Sequence, residues 1–241
     1  MTQYIAECGL QLLLPVLAIV ILMKNHTSKN YFRIALFASV YLIYQLLLVI
    51  PRFYEILRFV PSHQWNWSGK ILAIAWGISC YILLRKPLKE NDFFTFRQDK
   101  KSNKLTWFVS FMVIISISVL FYFIDSSPFD WETLAFQLTM PGLDEEIIFR
   151  GILLGLLLSV LPDKIPFLGN PSILLTAVLF GLMHGLTLTK NFGIEFDWIS
   201  FLHTGVGGWV FGWLAYKSKS IVKPIITHSG TNFLAALATM I

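Results

Sequence analysis

The sequence predicts an all-α polytopic membrane protein of about eight transmembrane helices, the fifth of them broken. Three observations carry this fold class. Of 241 residues, 56% are hydrophobic and only 14% charged, where a soluble domain of this size carries about 25% charged residues. The uncharged residues gather in long runs, 105–124, 171–189, 198–216 and 224–241, each close to the roughly 20 residues that a helix needs to cross about 30 Å of hydrocarbon. The basic residues sit in short loops beside these runs, where Lys and Arg report orientation. The net charge of +5 therefore marks no nucleic-acid partner, because no basic face on a soluble domain accompanies it.

Eight segments follow in order: 5–23, 32–50, 68–84, 105–124, 134–160, 171–189, 198–216 and 221–241. The first reads as a retained helix rather than a signal peptide. It lacks a basic leading stretch, Glu7 precedes its apolar part, and no small-x-small cleavage site follows. Cys8 and Cys80 fall in apolar segments and act as small hydrophobes. With no CxxC or paired Cys/His spacing, a structural zinc module is not expected. Residues 51–67 hold Pro51, Pro61 and several aromatics, which predicts a chain lying along the membrane surface, with Trp65 and Trp67 as interfacial anchors. In the fifth segment Met140-Pro141-Gly142 interrupts the apolar start, and Asp144, Glu145, Glu146 and Arg150 follow. Pro and Gly punctuate helices, so a short helix or re-entrant piece is expected, then a new helix from Leu143 with its acidic residues in the first turn. Glycines four apart (Gly151 and Gly155, Gly181 and Gly185, Gly208 and Gly212) suit close helix approach.

No internal repeat is evident, and the chain divides into residues 1–130, with the first four helices and their loops, and 131–241, a C-terminal core, within one integral membrane domain. Loop charge orients it. Arg85, Lys86, Lys89, Arg97, Lys100, Lys101 and Lys104 follow the third segment, whereas Asp125, Asp130 and Glu132 follow the fourth without Lys or Arg. The first loop is then cytoplasmic and the second outside, and alternation puts Lys24, Lys29, Lys217 and Lys219 inside with both termini outside.

Charges within a membrane helix cost about 2.5–3.5 kcal/mol each and face a protein interior or a water-filled cavity. Glu146 and Arg150 stand four apart on one helical face and neutralise each other. Glu145 lies about 100° around the helix and lacks that partner, which points it into a cavity as a base or ligand. A purely structural ion network of all three residues is the competing reading. His184 lies within the sixth apolar run, and His228 and Asn232 stand four apart in the eighth. A general base, two imidazoles and an amide donor together meet the needs of peptide hydrolysis. His203 has no polar residue four positions on and reads as a packing residue; His26 and His63 fall in loops and read as solvated.

At these residues the chain resembles a family. Glu145-Glu146-Ile147-Ile148-Phe149-Arg150 is similar to an EExxxR motif, Phe180 through His184 to FxxxH, and His228 through Asn232 to HxxxN. In this order, on separate apolar segments, they resemble the CAAX prenyl protease and bacteriocin-processing family of intramembrane proteases, also called Abi or CPBP. The resemblance covers about residues 141–235. It implies an eight-helix fold with the site inside the bilayer, and an endopeptidase acting on a membrane-associated protein or peptide. Glu145 and His184 would hold and activate a water, directly or through a metal. His228 and Asn232 would stabilise the oxyanion, or His228 would join the metal ligands, and Glu146 and Arg150 would support Glu145. One Glu and two His could bind zinc with an open position, using Glu145, His184 and His228; the same residues could work without metal. Asn232 suits hydrogen bonding better than zinc binding, which favours the metal-free assignment. The expected setting is a prokaryotic cytoplasmic (inner) membrane, with the bilayer and a peptide substrate as partners. The alternatives are a non-catalytic scaffold or immunity protein on the same fold, and a small transporter.

Overall fold

A computed structural model describes residues 1–61 and 64–241. His63, expected in a solvated loop, lies outside the described residues. The chain is almost wholly helical: α1 (Thr2–Leu22), α2 (Ser28–Val49), α3 (Trp67–Leu83), the single turn α4 (Arg85–Leu88), α5 (Asn103–Ile124), α6 (Trp131–Glu146), a π-helical stretch (Ile147–Leu153), α7 (Leu154–Leu158), α8 (Pro171–Gly185), α9 (Trp198–Ser218) and α10 (Val222–Thr239). All eight segments read from the sequence are helical over most of their length. Among the described residues, three helices are by length and composition apolar enough to cross a membrane, Thr2–Leu22, Ser28–Arg52 and Asn103–Ile124. A fourth is added if Trp67–Leu83 and Arg85–Asn91, bent by 78°, count as one broken span. The class is thus an all-α membrane protein. The eight-span count is approximate: α8 is only 15 residues long, and α6, α9 and α10 carry polar and ionisable residues that dilute their hydropathy.

Two expectations are corrected. The helix does not break at Met140-Pro141-Gly142; α6 runs through Pro141 to Glu146, and the irregularity comes next, as the π-helical stretch. Glu145 and Glu146 therefore close a helix rather than open one. The sixth helix stops at Gly185, not Thr189. Residues Leu186–Leu188 (β1) leave it as a strand paired antiparallel with Ile194–Phe196 (β2).

Helix starts follow from capping. Asn170 accepts from the backbone of Ser172 and Ile173 ahead of Pro171, Asp197 from Ile199 and Ser200, and Asp130 from Thr133, each satisfying orphan amides of a first turn. Asn66 caps α3 and also donates to Leu48 O at 2.6 Å, which ties the first turn of α3 to the end of α2.

The π-helical stretch is buried throughout and forms the axis of the molecule. Ile148, Phe149, Ile152 and Leu153 join Phe37, Tyr41 and Tyr44 of α2 and Leu179 and Phe180 of α8 in the main apolar core, which also holds the unpaired, buried Cys8 and Cys80. α8 packs along α9, and α10 lies against α5, α6 and α9. Gly142 makes the α6–α10 contact possible: a Cβ there would stand 2.1 Å from Ser229 Oγ and 3.0 Å from its backbone nitrogen. Buried Lys223 secures the other flank of α10, donating to the backbone O and to Oδ1 of Asn103 at 3.2 and 2.7 Å and to the Thr106 hydroxyl. Polar groups of α1 brace β1: Leu188 N donates to Glu7 Oε2 at 2.7 Å and Gln11 Nε2 to Leu186 O at 3.1 Å. Trp65 and Trp67 make specific contacts to α6. Their indole N–H groups donate to Thr133 Oγ1 and Glu132 Oε1, both at 2.9 Å, and both rings pack on Phe136.

Candidate active site

The end of α6 places Asp144, Glu145 and Glu146 in succession, all buried. Three adjacent carboxylates in a low-dielectric interior require cations or donors, and each has at least one such partner. Glu146 Oε1 accepts from Arg150 Nη1 at 2.9 Å, the pairing expected from their spacing. Arg150 also donates from Nη2 to Gly208 O at 3.0 Å, and its guanidinium lies 4.7 Å from the centroid of the Phe180 ring. A Cβ on Gly208 would sit 3.3 Å from Nη2 and 3.1 Å from Phe180, so this glycine leaves room for the arginine.

Glu145 is not without a cation. Lys70 of α3 reaches its Oε1 at 2.7 Å and contacts Asp144 at 3.0 Å. Tyr44 of α2 donates to Asp144 Oδ2 at 2.9 Å. Sequence reasoning missed Lys70. A lone lysine inside an apolar segment was a signal, since intramembrane charges are rare and paired.

His228 stands between the two glutamates. Its Nδ1 is 2.8 Å from Glu146 Oε1 and its Nε2 is 3.9 Å from Glu145 Oε2. Phe211 of α9 stacks on the imidazole at a centroid distance of 4.8 Å, so the ring is fixed by its face as well as by its edge. His184, the penultimate residue of α8, donates Nδ1–H to Phe180 O at 2.9 Å, which leaves Nε2 as the lone-pair nitrogen of the neutral ring.

These groups share one cavity of about 930 Å³, into which Lys70, Glu145, His184, His203, His228 and Asn232 all project. Its remaining wall is mainly apolar, with Met112, Val113 and Ile117 from α5 and Val206 and Val210 from α9. All four residues singled out for chemistry in the sequence thus meet in one place. Glu146 and Arg150 lie behind them in the protein interior. His203 was expected to pack; its side chain is exposed and lines the cavity instead.

A zinc ion held by Glu145, His184 and His228 would need these side chains turned to one centre. Glu145 Oε1 is already engaged by an ammonium, and no group of three or more His, Cys, Asp and Glu stands in a metal-holding arrangement among the described residues. As arranged, the residues do not fit a divalent cation.

Residues 126–234 match the family model described as Rce1-like, type II CAAX prenyl endopeptidase. This stretch is similar to that family. The matched region spans α6 to most of α10 and so contains Glu145, His184, His228 and Asn232. Tyr44 and Lys70 lie outside it. This similarity agrees with the resemblance carried by the three motifs, and the family is one of peptidases. No curated protein matches the chain, and no solved structure does.

Proposed function

We propose that the protein is an intramembrane endopeptidase that hydrolyses a peptide bond in a membrane-associated protein or peptide, without a metal. The observation that carries this reading is the convergence of Glu145, His184, His228 and Asn232 on one largely apolar cavity within an Rce1-like stretch. A water held between Glu145 Oε2 and His184 Nε2 would lose its proton to one of them as it attacks the scissile carbonyl. His228, its Nδ1 fixed by Glu146, presents Nε2 to the same space. Asn232 stands one turn further along α10 and supplies an amide N–H. With its Nδ1–H given to the Glu146 carboxylate, His228 would donate from Nε2 as the imidazolium, and it and Asn232 would then suit the oxyanion of the tetrahedral intermediate; such preorganised donors in a water-poor site are worth far more than in bulk water. The cavity's apolar wall suits a lipid-modified or hydrophobic peptide, and the family description points to a prenylated C-terminus.

The test uses membranes containing wild type, Glu145→Ala or His228→Ala, and a fluorogenic farnesylated CAAX peptide. Cleavage by wild type alone supports the reading. Equal cleavage by all three would sink the proposed site, and no cleavage by any correctly folded version would leave the scaffold reading in its place.

A further inference from the structure

Two neighbouring carboxylates each keep one oxygen beside the same imidazole, and each is held by its own cation. Glu146 is held by Arg150 and Glu145 by Lys70. We propose that Lys70 is a positioning residue of the site, holding the Glu145 carboxylate by Oε1 so that Oε2 is presented to the water and to His228. This deepens the endopeptidase reading and rests on it.

Four observations support the assignment. The contact from Lys70 to Glu145, at 2.7 Å, is shorter than its contacts to Asp144, at 3.0 and 3.1 Å, so neutralising the deeper Asp144 is not its whole role. Lys70 lines the cavity together with Glu145. Its own direction is fixed, because Asp144 takes a second hydrogen bond from Tyr44 at 2.9 Å and cannot swing with the lysine. Its backbone is fixed as well: Asn66 caps the turn that carries Lys70 and bonds Leu48 O, and a Cβ on Gly69 would stand 2.5 Å from that same carbonyl. The first turn of α3 is thereby pressed against α2, and the ammonium is delivered to one place. The site is then completed from outside the family-matched residues.

The test must separate positioning from folding. Lys70→Met alone strands two buried carboxylates, so the variant is Lys70→Met/Asp144→Asn, which keeps the net charge of the cluster. With the farnesylated CAAX peptide we expect kcat to fall about 100-fold, the scale of a misplaced catalytic group, with KM within about twofold and thermal unfolding close to wild type. Lys70→Arg, which keeps a cation, should recover most of kcat. A double variant as fast as wild type overturns the proposal. A second measurement needs no substrate. Glu145→Gln is introduced into wild type and into the double variant, and its effect on Tm is compared. Unequal shifts report coupling between residue 145 and the Lys70–Asp144 pair; equal shifts overturn the proposal even if the peptide is cleaved. Unequal shifts with no cleavage by wild type would defeat the endopeptidase reading and leave the hold on Glu145 standing.

Discussion

Glu146 Oε1 lies 2.8 Å from His228 Nδ1 and 2.9 Å from Arg150 Nη1, so a single buried oxygen orients an imidazole and neutralises a guanidinium at once. Spacing along the chain exposed the second contact and could not expose the first. Glu146→Ala should therefore do two things. Stranding Arg150 should cost about 3–5 kcal/mol, as breaking a buried ion pair does, and releasing His228 should lower kcat. Glu146→Gln, which keeps a hydrogen-bond acceptor for both, should lose less of each. Denaturation midpoints and peptide cleavage measured on the two variants check this; equal stability for Glu146→Ala and wild type would contradict it.

Gly142→Ala should separate α6 from α10, because the new methyl would meet Ser229 Oγ at 2.1 Å and Ile225 O at 3.1 Å. Overpacking of this kind costs about 1–3 kcal/mol. Since α6 carries Glu145 and α10 carries His228, activity should fall with stability. Gly142→Ala/Ser229→Gly, which removes the nearest obstacle, should regain part of both.

Cleavage should persist in saturating chelator, and the purified protein should carry no stoichiometric zinc, because an ammonium engages the carboxylate that a metal would need. Metal analysis of wild type, His184→Ala and His228→Ala decides the matter. Stoichiometric zinc that is lost in both variants would contradict the prediction.

The cap of α9 gives a pH prediction outside the helices. Asp197 is hydrogen-bonded through its side chain by Ser200, with further bonds from the Ser200 and Ile199 amides, and these hold its carboxyl below the ordinary aspartate range. A depressed folded pKa contributes stability that is present above the unfolded value of about 3.9 and is lost as pH falls through the folded value. Asp197→Asn keeps the cap and removes the titration. Its Tm should fall less steeply than that of wild type between pH 5 and 3 (the window on the order of the unfolded pKa); parallel profiles would contradict the assignment.

The helices and the residues Glu145, His184, His228 and Asn232 were legible because both depend on local pattern. Apolar length marks a segment, and an ionisable residue within one stands out against it. What failed to show depends on tertiary partners. Glu145 looked unpaired because its cation comes from Lys70, 75 residues away in sequence. Pro141 looked like a break, yet α6 absorbs it, and the irregular turn falls on Ile147–Leu153, which holds no Pro. His203 looked like a packing residue because sequence spacing does not reveal which helix face meets a cavity.

That irregular turn sets a constraint on chain length. A π-helical stretch winds more residues into each turn than the roughly 3.6 of an α-helix, and such turns often lie at functional sites. The seven residues Ile147–Leu153 therefore hold about one residue more than an α-helix would place there. They act as a phase adjuster between the acidic end of α6 and the leucines of α7. Removing one of them would leave regular α-helical winding with the two ends close to their present phase, whereas adding one would turn the ends against each other by about 100°. Either the carboxylates would leave the cavity or Leu154, Leu156 and Leu157 would leave the core. The segment should tolerate exchanges among apolar residues, and the loss of one of them, far better than the insertion of another.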